Sequence, residues 1–168
     1  MKDGFTVFTV KRLVRGSMIA AVYAALTLVL APISYGPLQL RVSEALCILP
    51  LFLPEAIPGL FIGCLMANLG SNLGLADIVF GSLFSLLAAL FTWRLRKGPV
   101  WIALLPPVLV NAFGVGALLY FIADAPYWLS SLWVGLGQAA AVYLIGLPLY
   151  IIIKRKINSP AGPGRFLN

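Results

Sequence analysis

The chain has 168 residues, of which 61% are hydrophobic and only 10% are charged, and its mean hydropathy is +1.01. A soluble domain is about half apolar and roughly a quarter charged, and a soluble chain of ~150 residues buries only about 70% of its unfolded surface. The composition therefore excludes a soluble enzyme, a disordered tail and a disulfide-knit secreted module. It predicts an all-α integral membrane protein, in which each helical span needs about 20 residues.

The formal net charge is +7, and its distribution indicates membrane flanks rather than nucleic-acid binding. The basic residues form three clusters, each beside a long apolar segment, as cytoplasmic flanks of membrane helices do. The clusters lack the alternation of basic and aromatic residues that base stacking would need. They comprise Lys2, Lys11, Arg12 and Arg15; Arg94, Arg96 and Lys97; and Lys154, Arg155, Lys156 and Arg165.

Six apolar runs predict the transmembrane helices: 16–34, 42–53, 56–69, 78–93, 100–123 and 127–153. The second and third are short and separated only by Pro54 and Glu55, so a five-span alternative joins them. The positive-inside bias favours six spans, because all three basic clusters then face the cytoplasm and only Arg41 faces outward. We expect a membrane domain over residues 1–157, with both termini inside and a disordered tail over 158–168.

The first outer connection carries the most conspicuous polar residues. Arg41 and Glu44 are three residues apart and share a helix face, as a local ion pair or as a ligand-facing pair in which Arg41 orients Glu44. The preceding segment contains Tyr35 and Gln39 and is too polar and irregular to lie in lipid. It is a candidate lid over a pocket.

Other polar residues lie deeper or in the remaining outer connections. Asn111 and Gln138 lie at matched depth, about 17 Å from the outer end. They either hydrogen-bond to each other or form the floor of a pocket. Asn68 begins the second outer loop, and Asp77 ends it as an expected helix N-cap. Trp128 belongs either to the interfacial aromatic belt or to a stacking site for the ligand.

The first helix contains two overlapping pairs of small residues, Ala20 with Ala24 and Ala21 with Ala25. Small residues let helix backbones approach closely, so this face is a candidate docking surface for another helical protein. The chain has no histidine, the commonest general base and metal ligand, and its acidic residues are spread among separate loops. We therefore expect neither an enzyme nor a metal site.

One distinctive string reads Ile-Ser-Tyr-Gly-Pro-Leu-Gln-Leu-Arg-Val-Ser-Glu-Ala-Leu over residues 33–46, and further such segments lie at 56–64, 77–83, 106–112 and 134–138. These segments resemble the QueT family, and the first is the most specific. The resemblance extends from about Arg15 to Lys154.

That resemblance implies a six-helix S component of an energy-coupling factor (ECF) transporter in the cytoplasmic membrane of a prokaryote. Such a component takes up a queuosine precursor, a 7-deazaguanine compound such as the aminomethyl or cyano derivative, or queuine. The ligand is expected near the outer face, under the loop between the first two helices. The alanine-rich helix is expected to dock on a membrane coupling protein driven by two ATPases. The chain has no phosphate-binding loop of its own, and no cofactor is expected.

A guanine-like edge presents adjacent N–H donors beside an oxygen acceptor. Glu44 is our first candidate to accept from the two N–H donors of the base, and Asp77 or Asp124 is the second. The candidates for its remaining hydrogen-bonding sites are Gln39, Asn111 or Gln138. An S component for another vitamin or nucleobase stays open, because fold analogy does not choose a ligand. A self-contained secondary carrier built from inverted repeats is a further alternative.

Overall fold

The computed structural model describes residues 10–36, 39–71 and 73–158, and these residues form helices and turns with no strand among them. The described part of the chain contains seven helices: α1 (Val10–Val29), α2 (Ala31–Ser34), α3 (Val42–Leu51), α4 (Ala56–Asn68), α5 (Asp77–Arg94), α6 (Val100–Ala123) and α7 (Tyr127–Asn158). The all-helical prediction is confirmed for these residues. The predicted disordered tail lies outside them, except Asn158, which is helical.

Four helices, α1, α5, α6 and α7, are long and apolar enough to cross a membrane. Many of their large apolar side chains point away from the bundle, as contact with lipid requires. The helices α3 and α4 are shorter. At the rises of 3₁₀ and α-helices each is about 20 Å long, against a hydrocarbon core of ~30 Å. The chain is a multi-pass helical membrane protein.

The predicted boundaries of the first and last helices are wrong. The first begins at Val10 rather than at residue 16, because basic residues at a membrane boundary are compatible with a helix that extends into water. It ends at Val29. The short helix α2 that follows carries Pro32 in its first turn, where a proline is tolerated but cannot continue a preceding helix. The last helix extends to Asn158 rather than to residue 153. The other predicted boundaries agree within two residues.

The helices α1 and α4 are packed closely through small residues. A Cβ atom added at Gly59 would lie 2.7 Å from the carbonyl oxygen of Gly16, and one at Gly63 would lie 2.8 Å from that of Ala20. This contact buries Ala20 to 8% exposure, so part of the predicted docking face serves packing within the chain. Ala24 is half-buried, and Ala21 and Ala25 remain exposed.

Two ion pairs show which connections share an end of the bundle. Arg15 in α1 pairs with Glu55 immediately before α4, at 3.2 Å between Nη1 and Oε1. At the opposite end, Arg41 immediately before α3 pairs with Asp77 at the start of α5, at 3.1 Å between Nη2 and Oδ2. The connections before α3 and before α5 therefore lie together, away from the N-terminus of α1.

Apolar side chains fill the bundle between these two ends. One cluster joins α1, α3, α4 and α5, and a second joins α3, α6 and α7. Their central residues are Tyr23, Cys47, Leu60 and Cys64 in the first, and Ile48, Leu104 and Val142 in the second. Because α3 contributes to both clusters, its polar first turn is held firmly between the other helices.

Candidate functional site

The centre of the candidate site is Glu44, in the first turn of α3 and only 1% exposed. Its carboxylate accepts three hydrogen bonds. Tyr23 of α1 donates its hydroxyl to Oε1 at 2.5 Å, while the Cys47 thiol and the Gln138 amide of α7 each donate to Oε2 at 3.0 Å. All three donors are neutral. Side chains from three helices thus converge on one buried carboxylate.

The second part of the site is built around Asp77. Its Oδ2 atom accepts from Arg41 at 3.1 Å and from the Ser71 hydroxyl at 2.5 Å. The Asn68 amide donates to the backbone carbonyl of Asp77 at 2.8 Å. Residues from the connections before α3 and before α5 and from the end of α4 therefore hold the start of α5. Asn68 and Asp77 are almost fully buried, and Arg41 is 6% exposed.

Two sequence-based expectations about these residues are wrong. Arg41 forms its ion pair with Asp77 rather than with Glu44, because Arg41 precedes the helix in extended backbone. The helical three-residue spacing therefore does not apply to it. Asp77 is not an N-cap, since it lies inside the first turn of α5 and turns its carboxylate toward Arg41 and Ser71.

The absence of a side chain at Gly81 leaves space for the Asp77 carboxylate. A Cβ atom at Gly81 would overlap Oδ1 of Asp77 and would lie 2.9 Å from the amide nitrogen of Asn68. The carboxylate lies along the first turn of α5, over the glycine four residues later. A side chain at position 81 would displace Asp77 from its place beside Arg41.

The segment before α3 contacts the site through Tyr35. The Tyr35 hydroxyl donates to the carbonyl oxygen of Ala67 at 2.5 Å, and the Arg41 guanidinium lies 5.5 Å from the centre of the Tyr35 ring. Partial burial raises the pKa of Tyr35, although the charge of Arg41 opposes this, so its hydroxyl is a neutral donor at pH 7. Gln39 is half-buried and has a left-handed backbone (φ 43°). Its side chain makes no hydrogen bond to Glu44 or Asp77.

The structure brings six predicted site residues into one neighbourhood and leaves others outside. Those brought together are Tyr35, Arg41, Glu44, Asn68, Asp77 and Gln138. Asn111 is buried in α6, but no hydrogen bond joins it to Gln138, because Gln138 donates to Glu44 instead. Trp128 is 75% exposed and lies on an outward apolar groove with Phe113 and Leu132, where an interfacial aromatic is expected.

Two site residues, Tyr23 and Cys47, escaped the sequence analysis. Tyr23 is completely buried, yet in the sequence it stands in an apolar run as one more interfacial or packing aromatic. Cys47 likewise stands in an apolar run, where a small residue is typical of helix packing. The spacing in the sequence indicates Cys47, because it follows Glu44 by three residues and so shares its face of the helix.

Several buried polar atoms around Asp77 have no hydrogen-bond partner among the described residues. They include Nε of Arg41, Oδ1 of Asn68 and Oδ1 of Asp77. Buried polar atoms in folded proteins are nearly always paired, and leaving one unpaired costs about 1–3 kcal/mol. The arrangement is suited to hydrogen-bonded recognition of a polar molecule. The described residues contain no group of three side chains able to hold a metal ion.

Comparison with known proteins identifies the family. The QueT transporter family matches residues 13–155. The queuosine precursor transporter QueT of Lactococcus lactis subsp. cremoris (strain MG1363) is 30% identical over 142 residues, which cover 76% of this chain and 83% of that protein. No solved structure matches the chain. The family consists of transporters, which confirms that the chain is not an enzyme. The match over most of the sequence shows that this membrane protein belongs to the QueT transporter family.

Proposed function

We propose that this chain is the substrate-binding S component of an ECF-type transporter and that it takes up a queuosine precursor of the 7-deazaguanine class. The observation that carries the proposal is the buried polar site around Glu44 and Asp77. The site lies between apolar helices, in a chain whose family is one of transporters. The name of the Lactococcus relative supports the choice of ligand class.

The hydrogen-bonding pattern suits the edge of a guanine-like base. Such an edge carries two adjacent N–H donors, and the Glu44 carboxylate is an acceptor already surrounded by donors from three helices. The ligand would replace one or two of these protein donors, because a carboxylate has only about four lone-pair positions. The Gln138 amide, once released, is placed to donate to the oxygen of the base.

The proposed topology has six crossings with both termini in the cytoplasm. The Arg15–Glu55 pair places the connection between α3 and α4 at the same end of the bundle as the N-terminus of α1. The Arg41–Asp77 pair lies at the other end. The short helices α3 and α4 then form a crossing pair, and the basic ends of α1, α5 and α7 share the cytoplasmic side of a prokaryotic membrane. The site faces outward.

Energy for uptake would come from partners: a membrane coupling protein and two ATPase subunits. The chain contains no phosphate-binding loop. The exposed face of α1 around Ala21 and Ala25 is our candidate surface for the coupling protein. Ala20 lies against α4 and contributes to this surface only indirectly.

Ligand-dependent stabilisation of the purified protein tests the proposal. A deazaguanine at 100 times its Kd should raise the free energy of unfolding by about 2.7 kcal/mol, and Glu44→Ala should abolish the effect. Glu55→Ala is a matched control, because Glu55 is an equally buried acid at the opposite end of the bundle.

The same assay separates the alternatives. Stabilisation by a different vitamin or nucleobase, with none from deazaguanines, would indicate an S component for another ligand. Uptake into vesicles that contain this chain alone would indicate a self-contained carrier and would contradict the ECF partnership.

A further inference from the structure

The helix that carries Glu44 begins without a local cap. The helix α3 is a 3₁₀ helix whose N-cap residue is Arg41, and the Arg41 side chain makes no capping hydrogen bond. A guanidinium only donates hydrogen bonds, so it cannot accept from the free N–H groups at a helix start, as Ser, Thr, Asp or Asn would. The hydrogen-bond geometry of a 3₁₀ helix is also poorer than that of an α-helix. The position of Glu44 in this first turn therefore depends on contacts with other helices.

Two neighbouring hydrogen bonds join the first turn of α3 to α1. Tyr23 donates to Glu44 at 2.5 Å, and the side-chain oxygens of Thr27 and Ser43 lie 2.6 Å apart. Tyr23 and Thr27 are four residues apart and share one face of α1, while Ser43 directly precedes Glu44. All four residues are at most 1% exposed. Because the two contacts lie side by side, they fix both the separation of the two helices and the rotation of the first turn of α3.

The direction of the hydrogen bond between Thr27 and Ser43 follows from the other contact of Thr27. The Thr27 hydroxyl donates to the backbone carbonyl of Tyr23 at 2.9 Å, the bond that a helical threonine can make to the residue four positions earlier. A hydroxyl has only one proton to donate, so Thr27 accepts and Ser43 donates. Thr27 is thus anchored to its own helix and presents a fixed acceptor to Ser43.

Ligand binding gives this contact a role that packing alone does not require. In the function proposed above, the ligand replaces one or two of the donors on Glu44, and Tyr23 is one of them. Once Tyr23 is displaced, the bond between Thr27 and Ser43 is the side-chain hydrogen bond that still joins α1 to α3 among the described residues. We propose, resting on that function, that Thr27 and Ser43 are positioning residues. They hold the first turn of α3 against α1 while the Glu44 carboxylate exchanges a protein donor for the ligand.

Thr27→Val tests the proposal, because it replaces the hydroxyl by a methyl group. The purified full chain is titrated with whichever of the aminomethyl derivative, the cyano derivative and queuine binds the wild-type protein most tightly. The Kd should rise at least about tenfold, since hydrogen bonds to a charged group are strong but weaken steeply when they are misaligned. Ser43→Ala should have a similar effect, and Thr27→Ser, which keeps the hydroxyl, should bind as the wild-type protein does.

Thr92→Val is the matched control. Thr92 is also completely buried, but it lies in the last turn of α5, and its hydroxyl has no hydrogen-bond partner among the described residues. Its Kd should equal that of the wild-type protein. Each Kd is measured at a temperature at which circular dichroism shows the variant to be fully folded, so a loss of stability alone would not change it.

Ser43→Ala decides the matter if Thr27→Val fails to fold. An unchanged Kd in the folded variant would overturn the positioning role and leave the proposed function intact. The same holds if Thr92→Val weakens binding equally, or if Thr27→Ser binds as weakly as Thr27→Val. Failure of every deazaguanine to bind the wild-type protein would instead contradict the proposed function itself.

Discussion

The buried Arg41–Asp77 pair joins the connections before α3 and before α5, and its removal should destabilise the protein strongly. Nη2 of Arg41 and Oδ2 of Asp77 lie 3.1 Å apart, and the two side chains are 8% and 1% exposed, respectively. Removing one partner of a buried pair leaves an uncompensated charge and costs about 3–5 kcal/mol. We expect a loss of this size in the free energy of unfolding for Asp77→Leu and for Arg41→Met.

The double variant distinguishes this mechanism from a loss of packing. If the cost of each single variant is the isolated charge, the double variant should lose less than the sum of the two. Interaction energies between contacting residues reach about 3 kcal/mol. Unfolding of the detergent-solubilised protein, followed by circular dichroism, measures all three variants.

The pair at the other end of the bundle supplies the control. Arg15 is 37% exposed whereas Glu55 is only 3% exposed, so water reaches the guanidinium of this pair and screens its charges more than those of Arg41 and Asp77. Arg15→Met should therefore cost less than Arg41→Met. Strictly additive losses in the Arg41 and Asp77 variants, or an equal loss in Arg15→Met, would refute the reasoning.

Two further substitutions test how the site is positioned. Gly81→Ala should weaken ligand binding at least tenfold, because its Cβ atom would displace the Asp77 carboxylate. In contrast, Gly98→Ala meets only a carbonyl oxygen at 3.4 Å and should bind the ligand normally; equal titration curves for the two variants would contradict this role of Gly81. Tyr23→Phe removes a buried donor and should lower the free energy of unfolding by about 1–3 kcal/mol. The half-exposed Tyr120 provides the matched variant Tyr120→Phe, and a loss as large in that variant would show that the phenol at position 23 has no special role.

The sequence predicts much of the helical organisation and the chemistry of the site. Apolar runs locate the helices because lipid-facing and buried positions are both hydrophobic. Polar residues in such runs need a partner, which is why Glu44 and Gln138 stand out. The structure joins these two residues across 94 positions of sequence.

The partners of each polar residue could not be predicted, since spacing along one helix says nothing about its neighbours. Arg41 was expected to act on Glu44 three residues away, yet its partner Asp77 is 36 residues away. Ala20 was expected to face another protein, but Gly63 in α4 lets it pack inside the chain. Both outcomes depend on which helices are adjacent, and that depends on the whole bundle.

The most direct test of the account is an experimental structure with a 7-deazaguanine bound. We expect its base edge within hydrogen-bond distance of the Glu44 carboxylate, with the Tyr23 or Gln138 donor displaced. A ligand seated instead in the outward groove beside Trp128, with the hydrogen bonds of Glu44 unchanged, would contradict the assignment of the buried site.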